Sequence, residues 1–177
     1  MKKLLTFILI FALGITVGVI VTHYPTPSIS PAFYKTEAYF SPDGGVSNHI
    51  INAINKADGS IDLAIFDLTS QDIKTSLEKA KQRGVKIRIT ADSRQAKGVH
   101  SVIQTLINEG FNVRIVHGIG RGIMHNKFAI FDGKLLVTGS YNWTNNAEHN
   151  NYENAVFIID PNAIKQYQKE FNAVYGQ

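Results

Sequence analysis

The sequence predicts an α/β fold, a single domain built on a mixed β-sheet flanked by helices. Three observations predict it. Segments of strand period and helix period alternate from Lys35 to His117, the pattern of parallel strands joined by helical crossovers. Two apolar runs then flank Asp132-Gly133, a strong signal for a tight antiparallel hairpin. Asp160-Pro161 finally opens a segment with apolar residues at helical spacing.

The elements follow in order. Lys35 to Phe40 reads as a short strand closed by Ser41-Pro42-Asp43-Gly44-Gly45. Val46, Ile50, Ile51 and Ile54 fall on one helical face, and Ile61 to Leu68 reads as a strand. Thr69-Ser70-Gln71-Asp72 is a capping-box pattern. It opens a helix that turns Ile73, Leu77 and Ala80 inward and stops near Gly84. Val85, Ile87 and Ile89 alternate with Lys86, Arg88 and Thr90, the pattern of a half-buried strand. Val99, Val102, Ile103 and Leu106 mark a third helix stopped by Gly110, and Asn112 to His117 is another strand. Lys127–Phe131 and Lys134–Gly139 form the hairpin, and Asn154–Ile159 adds a strand. The last helix carries Ile164, Tyr167, Phe171 and Val174 as its core stripe.

The domain occupies residues 33–177. Before it lie a leader, residues 1–22, and a Pro/Ser linker, residues 23–32, with Pro25, Pro27, Ser28, Ser30 and Pro31. Met1-Lys2-Lys3 is followed by 18 uncharged, mostly apolar residues, Leu4 to Val21. That core lies between the ~7–15 residues of a signal core and the ~20 of a spanning helix. It reads as a signal peptide or as an N-terminal membrane anchor, with residues 4–21 as the membrane attachment. Either way the domain is expected to be exported: periplasmic or secreted, or anchored to the inner membrane facing outward.

Composition narrows the chemistry. An apolar content of 44% with 18% charged residues describes a globular chain, neither disordered nor collagenous. The absence of cysteine excludes disulfides and thiolate metal sites. Of the formal net charge of +4, two charges are Lys2 and Lys3. The remaining excess permits a nucleic-acid or phospholipid partner without arguing for one.

The hairpin places side chains. If Asp132 and Gly133 are its two loop residues, Phe131 pairs with Lys134, Thr138 falls opposite Lys127, and Ser140 falls opposite His125. Cross-strand partners share a face. Without a bulge, His125, Lys127 and Ser140 converge, with Asn142 just past the strand end. Such a cluster suits a phosphodiester. Histidine serves as nucleophile or proton carrier, lysine supplies fixed positive charge, and the hydroxyl and amide add neutral donors. Singly, each residue has a plainer reading. A His-x-Lys pair is common in surface strands, Asp132 suits a turn, Gly139 suits close packing, and Ser140 and Asn142 suit loops. The full spacing is what argues for chemistry.

His125-Asn126-Lys127, four residues, Asp132, six residues, then Gly139-Ser140-Tyr141-Asn142 resembles the His-x-Lys signature of the phospholipase D superfamily. The likeness runs from about Phe40 to Tyr175 and is strongest to short bacterial endonucleases with one copy of the motif. The resemblance implies that His125 attacks phosphorus to form a phosphohistidine and that Lys127, Ser140 and Asn142 hold the phosphate oxygens. It implies that Glu153, in Tyr152-Glu153-Asn154-Ala155-Val156, orients a histidine ring. Asp132 and Gly139 are structural positions of the motif. No metal and no cofactor are expected, in keeping with the lack of a carboxylate cluster or a His-Glu-x-x-His element.

The family's chemistry takes two such histidines. The chain has six, at 23, 49, 100, 117, 125 and 149, and only His125 is followed two residues on by lysine. The resemblance therefore implies a homodimer forming one shared active site about a two-fold axis. Arg121, Arg94 and Lys97 are candidate substrate-backbone contacts. His117 and His149 are candidates to line the cleft, His49 and His100 sit in helix patterns at the surface or an interface, and Trp143 and Tyr141 read as core. The sequence thus reads as an exported, metal-independent endonuclease acting on DNA or RNA. The alternatives are a phospholipase D-type phospholipid hydrolase or transferase and a catalytically silent nucleic-acid-binding module at the membrane. The presence of both His125 and Lys127 argues against the last.

Overall fold

The computed structural model of the protein describes residues 34–177. The leader of residues 1–22 and the linker of residues 23–32 lie outside the described residues. A seven-stranded sheet organises the domain, in the order β1-β7-β6-β5-β2-β3-β4. The strands are β1 (Lys35–Ser41), β2 (Ser60–Ile65), β3 (Lys86–Asp92), β4 (Asn112–Val116), β5 (Lys127–Phe131), β6 (Leu135–Gly139) and β7 (Glu153–Ile159). β2, β3 and β4 run parallel. β5 lies antiparallel to β2 and opens an antiparallel series through β6 and β7 to β1.

Helices cover both faces. α1 (Val46–Lys56), α2 (Gln71–Gln82) and α3 (Ile103–Asn108) bury Ile50, Ile54, Ile73, Leu77, Ile103 and Leu106 in a core shared with Leu63, Ile65, Ile89, Ala129 and Phe157. The long α5 (Pro161–Tyr175) lays Ile164 and Phe171 on Ala64, Phe128, Ile130 and Leu136 of the other face. α4 (Asn145–His149) is a short turn of helix beside the loop after β6. Helix starts follow capping chemistry. Ser70 accepts the Ile73 N–H ahead of α2, Asp160 accepts the Asn162 N–H ahead of α5, and Thr144 accepts the Ala147 N–H ahead of α4. Among the described residues no helix is long and apolar enough to cross a membrane.

Several sequence expectations change. The third helix begins at Ile103, not Val99, because the chain from Gln95 to Lys97 forms a 3₁₀ turn and the Val102 N–H bonds to the Leu68 carbonyl. Val99 is left 91% exposed. β2 ends at Ile65, since the N–H groups of Thr69 and Ser70 turn to the Trp143 carbonyl instead of a strand. β3 is more than half-buried. Thr90 is fully buried because α5 covers the second face, and Arg88 on that face pairs with buried Asp62 through bonds of 2.7 and 2.6 Å.

The hairpin register also departs by one residue. Asp132 and Gly133 do take the left-handed conformations of a tight turn, with φ of 54° and 62° and a Lys134 N–H to Phe131 carbonyl bond of 2.9 Å. The ladder, however, pairs Phe131 with Leu135 and Phe128 with Thr138. Lys134 is thus a third loop residue after Asp132 and Gly133, and Thr138 does not lie opposite Lys127. A one-residue slip exchanges faces.

Candidate functional site

The C-terminal ends of β2 and β3, the start of β5, the end of β6 and the start of β7 meet at one end of the sheet. Lys127, the first residue of β5, pairs with Ile65. That pairing brings the segment before β5 alongside Phe66 and Asp67, which follow β2. The exposed His125 ring packs edge-to-face on Phe66, with centroids 4.6 Å apart. Lys127 is only 9% exposed. Its ammonium donates to the His125 carbonyl at 2.8 Å and lies 4.7 Å from the Phe66 ring centroid. Burial pushes the Lys127 pKa below the ordinary lysine value, against the opposing pull of Glu153 and Asp67. The Asp67 carboxyl is pushed up by burial, with Lys127 opposing.

β7 supplies the other wall. The Glu153 carboxylate accepts from the Ser140 hydroxyl at 2.5 Å and from the Asn151 amide at 2.9 Å. Ser140 leaves the β6 ladder at a bulge. Its own N–H and that of Tyr141 both donate to the Asn154 carbonyl, while its hydroxyl accepts from the Asn154 N–H at 3.1 Å. Gly139 permits this close approach, because a Cβ there would stand 2.1 Å from the Asn154 carbonyl oxygen. Ser140 and Lys127 therefore converge through β7, both under the influence of Glu153, and not as the simple hairpin pairs first expected. Asn142 follows on the same segment, held where Trp143 bridges to Leu68 and its N–H bonds to the Asp67 carbonyl.

Asp132 sits at the far end of the hairpin. Its carboxylate accepts from the N–H groups of Asp58, Gly59 and Ser60 at 3.2, 2.8 and 2.8 Å, fastening the entry to β2. Burial raises its pKa, but the three backbone donors outweigh that and hold it below the usual carboxylate value.

Of the basic candidates, Arg94 and Arg121 stand together. The exposed Arg94 guanidinium donates to the Arg121 carbonyl at 3.2 Å. Lys97 is exposed at the end of the 3₁₀ turn. His117 binds Ser93 through Nδ1 at 2.7 Å. His149 ends α4, His49 stacks on Tyr39, and His100 precedes α3 in a turn instead of sitting within a helix. Trp143 and Tyr141 are buried, as core residues.

Three contributors are not singled out by the sequence reading. Phe66 and Asp67 looked like ordinary continuations of a strand. Asp92, at the end of β3, is completely buried and accepts three N–H groups, from Arg94 (2.9 Å), Gln95 (3.1 Å) and Met124 (3.0 Å). It ties the Arg94 loop and the residue before His125 to one carboxylate. A charged residue closing an apolar strand was the available clue. Among the described residues no group of three or more His, Asp or Glu side chains is placed to hold a metal ion.

An exposed histidine thus stands beside a buried lysine, with the Ser140 hydroxyl and the Glu153 carboxylate bonded to each other at the same end of an α/β sheet. Comparison with known proteins gives the family. Residues 50–175 match the family model described as "Cardiolipin synthase, PLD-like domain". The chain belongs to this phospholipase D-like family. The fold is similar to that of the phospholipase D family member Nuc from Salmonella typhimurium, with a TM-score of 0.76 and 30% identity, covering 82% of this chain and 96% of that one. It is also similar to NucT from Helicobacter pylori, with a TM-score of 0.73 and 27% identity, covering 80% and 96%. Among curated relatives, a phospholipase D of Rickettsia conorii is 34% identical over 83% of this chain and 72% of its own length. Human mitochondrial cardiolipin hydrolase is 34% identical over 73% of this chain. The match spans about half of that protein, 51%.

Proposed function

We propose that the protein is a metal-independent endonuclease hydrolysing DNA or RNA, exported by its leader and working as a homodimer with one shared site. The observation that carries the reading is the gathering of His125, Lys127, Ser140 and Glu153, with Asn142 beside them, at one end of the sheet. The nuclease reading is supported by the likeness to Nuc and NucT, of which the match takes in 96%; the phospholipase D of Rickettsia conorii, covered to 72%, supports the second reading below.

The chemistry runs in two steps. A neutral His125 ring nitrogen attacks phosphorus, forming a P–N bond as the P–O bond to the leaving group breaks. His125 of the second copy protonates the departing oxygen. Water then attacks phosphorus, the P–N bond breaks, and the water proton passes to the second copy's ring. Lys127 offsets the charge on the phosphoryl oxygens, with Ser140 and Asn142 as neutral donors. Glu153 retains lone pairs to orient a histidine N–H while Ser140 and Asn151 hold it in place. Arg94, Arg121 and Lys97 supply positive charge for a polyanion.

A phospholipid substrate is the second reading. Aliphatic side chains at the loops flanking the site favour it, with Ile119 99% and Val99 91% exposed. The test offers plasmid DNA, RNA and phospholipid vesicles to residues 33–177 in EDTA, beside His125→Ala. Nucleic-acid cleavage that survives EDTA and disappears in the variant supports the nuclease. Lipid turnover alone selects the second reading, and activity indifferent to His125 defeats both.

A further inference from the structure

We infer that Phe66 is a positioning residue for the reaction, one aromatic ring that sets both the attacking histidine and the phosphate-facing lysine. Two independent contacts converge on it. The His125 ring meets it edge-to-face at 4.6 Å with an interplanar angle of 65°. The Lys127 ammonium lies 4.7 Å from its centroid. Each geometry is the one an aromatic quadrupole favours: ring edge toward ring face for the pair, and cation toward the electron-rich face for the lysine.

The arrangement answers a physical difficulty in the site. A histidine that becomes positive during turnover stands two residues from a lysine already positive and buried. Lys127 donates to the His125 backbone carbonyl, which keeps the ammonium close to the residue that bears the imidazole. Phe66 gives the ammonium a weakly negative, non-hydrogen-bonding surface and gives the imidazole a wall that restricts its rotation about χ2. A saturated side chain of similar size fills the same space and does neither. The ring is half-buried and lies just beyond the end of β2, so its substitution leaves the sheet core in place.

The other groups that face Lys127 are Glu153 from β7 and Asp67 after β2, both favouring its charged form, while burial opposes it. Phe66 works in the same direction as the carboxylates without their proton affinity. Replacing it with leucine therefore lowers kcat about tenfold, with little change in KM.

The inference rests on the phosphodiesterase reading for its kinetic consequence but not for its geometry. Two variants are compared, Phe66→Leu and Phe66→Tyr, with the full chain. The first readout is the mobility of the His125 ring, from NMR relaxation of its ring C–H groups, assigned with His125→Ala. The second is hydrolysis of bis(p-nitrophenyl) phosphate. The expected result is that Phe66→Leu frees the His125 ring and lowers kcat about tenfold, while Phe66→Tyr keeps the ring ordered and kcat within about twofold of the wild type. A His125 ring as ordered in Phe66→Leu as in the wild type, with thermal stability retained, would overturn the inference. A wild type that shows the NMR dependence on Phe66 but hydrolyses no phosphodiester would leave the positioning intact and remove the phosphodiesterase reading instead.

Discussion

The Asp92 carboxylate accepts the Met124 N–H at 3.0 Å, so a buried charge at the end of β3 fixes the backbone one residue before His125. The same group holds the N–H groups of Arg94 and Gln95. Asp92→Ala strands three donors, the Met124 N–H among them buried, and is expected to destabilise the domain by about 2–4 kcal/mol. Asp92→Asn retains one carbonyl acceptor and loses less. In Asp92→Asn, kcat falls more than stability does, because the loop that presents His125 loosens, and a displacement of ~1 Å can cost ~10²-fold. Urea denaturation alongside kcat checks this; a variant as active as the wild type would show that the loop is held elsewhere.

Glu153 acts on Lys127 as well as on Ser140. Its charge raises the Lys127 pKa against burial, so Glu153→Gln lets that pKa fall further. The Lys127 ammonium of the variant is then expected to titrate at lower pH than in the wild type, and kcat drops by about 10²-fold with the loss of an orienting carboxylate. NMR titration of the Lys127 ammonium reads the first and steady-state kinetics the second. An unmoved Lys127 titration would mean that Glu153 does not act on it.

Asp132 has a folded-state pKa below its unfolded value, so its contribution is full above the unfolded pKa and is lost as pH falls through the folded one. Asp132→Asn should therefore cost about 1 kcal/mol at pH 7, the scale of a lost cap. The gap between wild type and variant closes as pH falls below about 4. Parallel thermal melts from pH 7 to pH 2.5 give the answer. A gap that widens in acid would contradict the assignment.

Gly139→Ala places a methyl group 2.1 Å from the Asn154 carbonyl oxygen, a contact between backbones that no rotamer relieves. β6 and β7 must part, at about 1–3 kcal/mol. The melting temperature is expected to fall by several degrees, at roughly 2–4 °C per kcal/mol for a domain of this size. Activity should fall further than stability, because Ser140 is carried away with the bulge. Retention of full activity would show that the bulge is not needed to seat Ser140.

Elements with a strong period were legible in the sequence. Lys127–Phe131 and the final helix from Pro161 stand where the pattern put them, and Asp160 caps as its type predicts. The hairpin turn was legible but its register was not, because Asp132-Gly133 is compatible with a third loop residue at Lys134 and nothing in the local pattern distinguishes the two. Val99 continues the helical period of Val102 and Ile103, yet the Val102 N–H is claimed by the distant Leu68 carbonyl. The motif residues were readable because their spacing repeats a known signature. Phe66 and Asp92 were not, since each acts through a contact with a segment far along the chain.

The site draws on Phe66, Asp92, Lys127, Ser140 and Glu153, borne on segments that are far apart in the chain but adjacent in the sheet. No contiguous stretch contains it, and β7, the last strand made, provides one of its walls. A chain cut short before β7 would hold His125 and Lys127 but lack Glu153 and the Asn154 backbone that seats Ser140, so the site exists only in the completed sheet.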